Sequence, residues 1–257
     1  MTINVLELFS GTGSVGKICK EFGWNVVSLD LDPSFTADIN IDILKWDYCA
    51  FKRRHFSVIW ASPPCNTFST IRRTWIGRKL KCHGDTIITP EIIEKDIQEE
   101  GLPLLRKAQE IIEYFEPQIW FIENPQLGRM KDYIHPTIPY YDVDYCRYCD
   151  WGYRKRTRIW TNLLGFEPKL CNKKCAGFDK KHPKDVTTSQ GGGSDRRLRY
   201  RIPPNLIREL FHTWLGDCPL CLIQFPNQVS KADSTCARCG RKMCSACECD
   251  CDADLQE

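Results

Sequence analysis

The chain has 257 residues, 42% of them hydrophobic, which is enough for one sizeable α/β domain with a small appendage. No run of about 18 apolar residues is present to span a bilayer, and the first residues read as a strand instead of a signal peptide, so a soluble, intracellular protein with no membrane partner is expected. Sixteen cysteines without an export signal argue against a disulfide framework, and the net charge of +3 conceals 15 Lys+Arg against 4 Asp+Glu between Trp151 and Arg208, with 21 against 29 elsewhere, as on a polyanion-binding face.

In chain order, INVLELF at Ile3–Phe9 is β-prone, and a glycine turn leads into a helix-like SVGKICKEFGW. NVVSLDLD and FSVIWAS read as buried strands, LPLLRKAQEIIEYF has helical spacing, and PQIWFIENP is a further strand ending in polar residues. Strands alternating with helices predict a parallel, doubly wound, Rossmann-like α/β sheet with ligands beyond the carboxyl ends of the strands. IRRTWIGRKLKCHGDTIITP is a long basic connection, of the kind used as a lid or binding loop. From Tyr145 the chain turns basic and cysteine-rich, SQGGGSD reads as a flexible loop, and after about Gly216 a cysteine-rich tail has no room for a hydrophobic core.

The glycine turn fits one nucleotide pattern and nearly fits another. Gly11, Gly13 and Gly16 satisfy G-x-G-x-x-G, whereas Gly11 to Lys17 follows a P-loop until Ile18 replaces the hydroxyl that would hold magnesium. A triphosphate site is therefore disfavoured, and Asp30, 19 residues after Gly11 at a strand end, is placed to accept from the ribose of an adenosine cofactor.

Three polar clusters then fall at strand ends. Cys65 in WASPPCNTFS leaves an apolar strand beside two prolines that stiffen the turn, a context for a nucleophile. Glu123 and Asn124 close the strand WFIENP, where a carboxylate could donate a proton. Arg156 and Arg158 lie two apart in the β-prone YRKRTRIW, so both leave one face and could hold a carboxylate, a phosphate or a base edge.

This order of motifs resembles the cytosine carbon-5 DNA methyltransferases over most of Asn4 to Leu215. LELFSGTGS is similar to that family's first S-adenosylmethionine motif, SLDLD to the second and DIL at Asp42–Leu44 to the third. PPCNTFS is similar to the proline–cysteine motif, ENP to E-N-V, RKRTRI to Q-x-R-x-R, and IPPNLIREL to the helix of the last motif. The short stretch between the arginine pair and the last motif resembles the compact enzymes of phages and large DNA viruses. Departures are Leu31 at a position often aromatic, Pro125 for valine, Arg154 for glutamine, and Tyr200–Arg201 in place of a glycine–asparagine pair.

The resemblance implies an enzyme transferring a methyl group from S-adenosylmethionine to carbon 5 of a cytosine flipped out of double-stranded DNA. It implies cofactor contacts at Phe9, Ser10, Gly11, Gly13, Asp30, Leu31, Asp42, Ile43 and Pro64. It implies that Cys65 adds to carbon 6, Glu123 protonates ring nitrogen 3, Arg158 holds the base carbonyl and Arg156 positions Glu123. Competing readings are an RNA cytosine methyltransferase with the same chemistry, an amino-methyltransferase with a variant S-P-P-Y motif, and a degenerate DNA-binding descendant without activity. A zinc deaminase is excluded by the missing second cysteine after Pro64–Cys65 and the missing H-x-E.

Twelve cysteines follow Asp144. Cys146 and Cys149 with Cys171 and Cys175 give C-x2-C and C-x3-C, spacing that suits one structural zinc, with His182 as a substitute ligand. The tail holds three C-x2-C pairs and resembles cross-brace modules of the FYVE and RING type. That resemblance implies one zinc on Cys218, Cys221, Cys244 and Cys247 and a second on Cys236, Cys239, Cys249 and Cys251. The expected organisation is a catalytic, cofactor-binding domain at 1–145, a basic target-recognition region at 146–200, a helix returning to the catalytic domain at 201–216, and a zinc module at 217–257 that contacts DNA or a protein partner. A monomer is expected.

Overall fold

The computed structural model describes residues 3–79, 83–173, 175, 182, 196–216, 234–235 and 242–243. The eight tail cysteines from Cys218 to Cys251 lie outside the described residues. The chain divides into two compact units, one of Met1–Asn162 with Pro168–Pro204 and one of Leu163–Glu167 with Asn205–Glu257.

The first unit is built on seven strands in the order β3-β2-β1-β4-β5-β7-β6. Strands β1 (Asn4–Leu8), β2 (Asn25–Asp30), β3 (Ile39–Asn40), β4 (Val58–Ala61) and β5 (Ile119–Pro125) run parallel. The doubly wound sheet is mixed at its far edge, where β7 (Arg156–Thr161) lies antiparallel between β5 and β6 (Tyr140–Asp144). Only 11 residues join β6 to β7, too few for the crossover that parallel neighbours need. This reversal brings the start of β7 to the same edge as the carboxyl end of β5.

Chain order reverses between β1 and β4, so right-handed crossovers put helices on both faces of the sheet, as a doubly wound fold requires. On one face, Leu6, Leu8, Ile59, Ala61 and Ile122 join a buried cluster with Leu105, Ala108, Ile111 and Phe115 of α3 (Leu102–Phe115). On the other, the Glu7 carboxylate sits under α1 (Ser14–Glu21) and accepts from the Val15 and Gly16 amides at 3.1 and 2.9 Å. Gly16 is needed here, since a Cβ would stand 2.7 Å from Glu7 Oε2. Helix α5 (Pro204–Leu215), which belongs to the second unit from Asn205 onward, buries Leu206, Ile207, Leu210 and Phe211. No helix among the described residues is long and apolar enough to cross a membrane.

Burial pushes the Glu7 carboxyl up from 4.5 to about 7, against the two amide bonds that favour its charged form. A raised folded-state pKa stabilises the fold fully below about pH 4.5, and that contribution is lost as pH rises through about 7. The expected loss is about 3 kcal/mol between those limits. Urea unfolding at pH 5 and pH 8 should show this slope in the parent chain and a flatter one in Glu7→Gln; equal slopes would remove Glu7 as the cause.

The described part of the long basic connection is anchored. Arg72, in the 3-10 turn Thr70–Trp75, is 6% exposed and ion-paired with Asp96 at the end of α2 (Pro90–Asp96), and His83 Nε2 lies 3.1 Å from the same carboxylate. A π-helical stretch, Ile97–Gly101, follows, and Gly101 lets it approach the segment after Cys65: a Cβ there would meet Thr67 Oγ1 at 2.3 Å and the Phe68 ring at 2.9 Å.

Candidate active site

The glycine turn is held open by its backbone. Phe9, Gly11 and Gly13 have φ of 56, 49 and 64°, the left-handed region in which glycine costs least, and the turn delivers the chain into α1. Gly11 N–H donates to Asp30 Oδ2 at 2.7 Å and Asp32 N–H to Asp30 Oδ1 at 2.9 Å, so the carboxylate ties the turn to the end of β2. Each oxygen keeps a lone pair that a ribose hydroxyl can use. Ser10 N–H donates to the Leu29 carbonyl at 3.0 Å, Asp42 Oδ1 caps Leu44 N–H at 3.0 Å, Ile43 is buried, and Leu31 is 68% exposed beside Asp30. The P-loop reading ends at Lys17, which is exposed and whose Nζ donates to its own turn at the Thr12 carbonyl, 2.9 Å away.

Sequence reasoning missed Tyr200 and Phe35 at this turn. Tyr200, in α4 (Arg196–Tyr200), brings its Cβ within 3.7 Å of where a Gly11 Cβ would stand, and its ring lies 6.2 Å from that of Phe35. The departure from a glycine–asparagine pair was the signal, because it put a bulky ring where the family pattern is small.

The second part of the site lies at the ends of β4 and β5. After β4 the chain turns through Ser62, Pro63 and the exposed Pro64 to Cys65, and Asn124 Nδ2 pins this turn by donating to the Pro63 carbonyl at 2.8 Å. Burial pushes the Cys65 thiol up, the cations of Lys155 and Arg199 pull it down, and Glu123 raises it. All four groups therefore share one electrostatic environment.

Glu123 is 6% exposed, and its Oε1 accepts from the Tyr145 hydroxyl at 3.0 Å and faces Lys155 Nζ at 3.4 Å. Lys155 Nζ also donates to the Arg199 carbonyl at 3.2 Å and lies 4.8 Å from the centre of the Tyr145 ring. Tyr145 is fully buried, and burial holds its hydroxyl well above its ordinary pKa, so it stays a donor.

The arginine pair is placed differently from the expectation. Glu123 pairs with Ile159 and Asn124 with Arg158, and directly paired residues share a face. Arg156 and Arg158 therefore leave the face opposite Glu123. Arg156 forks onto the buried Asp144, with its closest contact at 2.6 Å, and Arg158 onto Asp142 at 2.7 and 2.8 Å, with its guanidinium 3.7 Å from the Tyr140 ring centre. Period-2 reasoning correctly put the two arginines on one face, but the register selects the odd-numbered set for the site, so the cation beside Glu123 is Lys155 and not Arg156.

No family model matches the chain. A probable DNA (cytosine-5)-methyltransferase of Frog virus 3 (isolate Goorha) is 47% identical over 221 residues, covering 81% of this chain and 98% of the viral protein. The chain belongs to the DNA (cytosine-5)-methyltransferase family. Among solved structures, the Entamoeba histolytica methyltransferase EhMeth matches at 15% identity and a TM-score of 0.43, covering 72% of this chain and 58% of that one. The S. pombe Dnmt2 methyltransferase matches at 16% and 0.37, covering 66% and 52%. The chain thus spans just over half the length of those two proteins.

In this methyltransferase chain a separate cluster forms beyond β6. Sγ of Cys146, Cys171 and Cys175 and a ring nitrogen of His182 all lie within 4.8 Å of one another. Cys149 is not among them, since its thiol donates to the Tyr145 carbonyl at 3.1 Å; His182, the substitute named from sequence, stands in its place.

Proposed function

We propose that this chain methylates carbon 5 of cytosine in double-stranded DNA, with S-adenosylmethionine as donor. The observation that carries the reading is the meeting of Cys65 and Glu123 at adjacent strand ends, joined by the Asn124–Pro63 bond, next to a glycine turn whose Asp30 retains acceptor capacity. Phe9, Ser10, Gly11, Gly13, Asp30, Leu31, Asp42, Ile43 and Pro64 would hold the donor, which supplies a sulfonium-activated methyl group when bound.

The chain's own residues account for the rest. The base leaves the duplex because its ring cannot reach a recessed thiol while stacked. The Cys65 thiolate adds to carbon 6, and the displaced ring electrons make carbon 5 nucleophilic. Glu123 hydrogen-bonds and protonates ring nitrogen 3, offsetting the charge that develops, while Tyr145 and Lys155 fix its orientation. Once carbon 5 carries the methyl group, its proton passes to solvent, and expulsion of the Cys65 thiolate with return of the ring nitrogen 3 proton to Glu123 restores the aromatic ring and the free enzyme. The basic stretch from Trp151 to Arg208 supports a DNA backbone contact. The test is expression in a methylation-free host followed by bisulfite sequencing, where protected cytosines in one consistent context are expected and none would overturn the reading.

A further inference from the structure

We propose that Cys146, Cys171, Cys175 and His182 form a structural zinc site that holds Tyr145 against Glu123. Tetrahedral zinc, with bonds of about 2.3 Å to sulfur and 2.0–2.1 Å to nitrogen, sets its ligand atoms roughly 3.5–3.8 Å apart. Cys171 Sγ lies 3.4 Å from Cys175 Sγ and 3.9 Å from His182 Nε2, and the whole set falls within 4.8 Å. Three thiols and one imidazole close all four positions, the composition of a structural site with no place left for a substrate.

The surrounding bonds say what such an ion would secure. Cys146 directly follows Tyr145 in the turn Tyr145–Arg147, and Tyr145 N–H donates to the Lys155 carbonyl at 3.0 Å. Cys171 N–H donates at 2.8 Å to Asp144, the carboxylate that also forks onto Arg156, and Asp144 N–H donates to the Lys169 carbonyl at 3.1 Å. One ion would therefore tie the turn after β6 to Cys171, Cys175 and His182, and through the Tyr145–Lys155 backbone bond it would steady the Tyr145 hydroxyl and Lys155 ammonium that meet Glu123. This positioning role rests on the proposed reaction; the metal site does not.

The test measures metal on the purified full-length chain by mass spectrometry. Cys171→Ser and His182→Ala should each carry one zinc equivalent fewer than the parent, whatever the tail cysteines bind, and Cys149→Ser should match the parent. In the parent, Cys146, Cys171 and Cys175 should resist alkylation until a strong chelator is added, a readout that needs no variant to fold. Unchanged metal content in folded Cys171→Ser and His182→Ala overturns the site, as does alkylation of the three thiols that is equally fast with and without chelator. An equivalent lost in Cys149→Ser and kept in His182→Ala overturns the ligand set. None of these readouts depends on methyl transfer, so failure of the proposed reaction would leave them intact.

Discussion

Cys65→Ser should lower methyl transfer by about 10⁴-fold or more, the scale on which a lone nucleophile's removal is felt. Serine keeps the shape of the turn pinned by Asn124 at the Pro63 carbonyl, so the loss belongs to the sulfur and not to the loop. Donor binding, read by calorimetry, should be unchanged, because Cys65 is not among the groups expected to hold S-adenosylmethionine. A variant that still moves labelled methyl groups at the parent rate would falsify the covalent route. Burial also raises the parent thiol's pKa, so the thiolate is scarce at neutral pH and kcat/KM should climb with pH. Replacing Lys155 by methionine removes a cation that lowers the thiol, so the climb should move to higher pH.

The parts of the fold legible in sequence were those set by local pattern. LPLLRKAQEIIEYF is helical over its full length as α3, because its apolar residues repeat at helical spacing, and the ends of β1, β4 and β5 carry the polar clusters read there. Position was legible where it depends on one strand at a time: Asp30 ends β2, Cys65 follows β4 and Glu123 lies near the end of β5. It was not legible where it depends on which strands pair. Nothing local to YRKRTRIW tells that β7 runs backward beside β5 with Asn124 opposite Arg158, and that register turns Arg156 and Arg158 away from Glu123 and brings Lys155 toward it. Tyr145 was hidden for the same reason, since it is 22 residues from Glu123 in sequence and meets it only through the β6–β7 turn. Cys149 shows the limit of spacing arguments, because a C-x2-C pair offers two ligands only if the turn aims both thiols inward, and here one bonds to a carbonyl.

Glu123→Gln should cost methyl transfer roughly 10² to 10⁴-fold, the usual worth of a positioned acid or base. The amide oxygen can still accept from the Tyr145 hydroxyl, so the side chain should stay in place while losing the ability to donate a carboxyl proton to ring nitrogen 3. The loss should therefore fall on kcat, with the donor's KM within about twofold of the parent. Tyr145→Phe separates orientation from proton transfer. It removes one hydrogen bond to a charged group, worth about 1.5–3 kcal/mol, and leaves the Lys155 contact, so a smaller loss of roughly 10- to 100-fold is expected. The order of the two effects is what carries the mechanism. If Glu123→Gln keeps the parent rate while Tyr145→Phe loses it, the carboxyl group is not the proton donor, and the proton on ring nitrogen 3 must come from another group or from solvent.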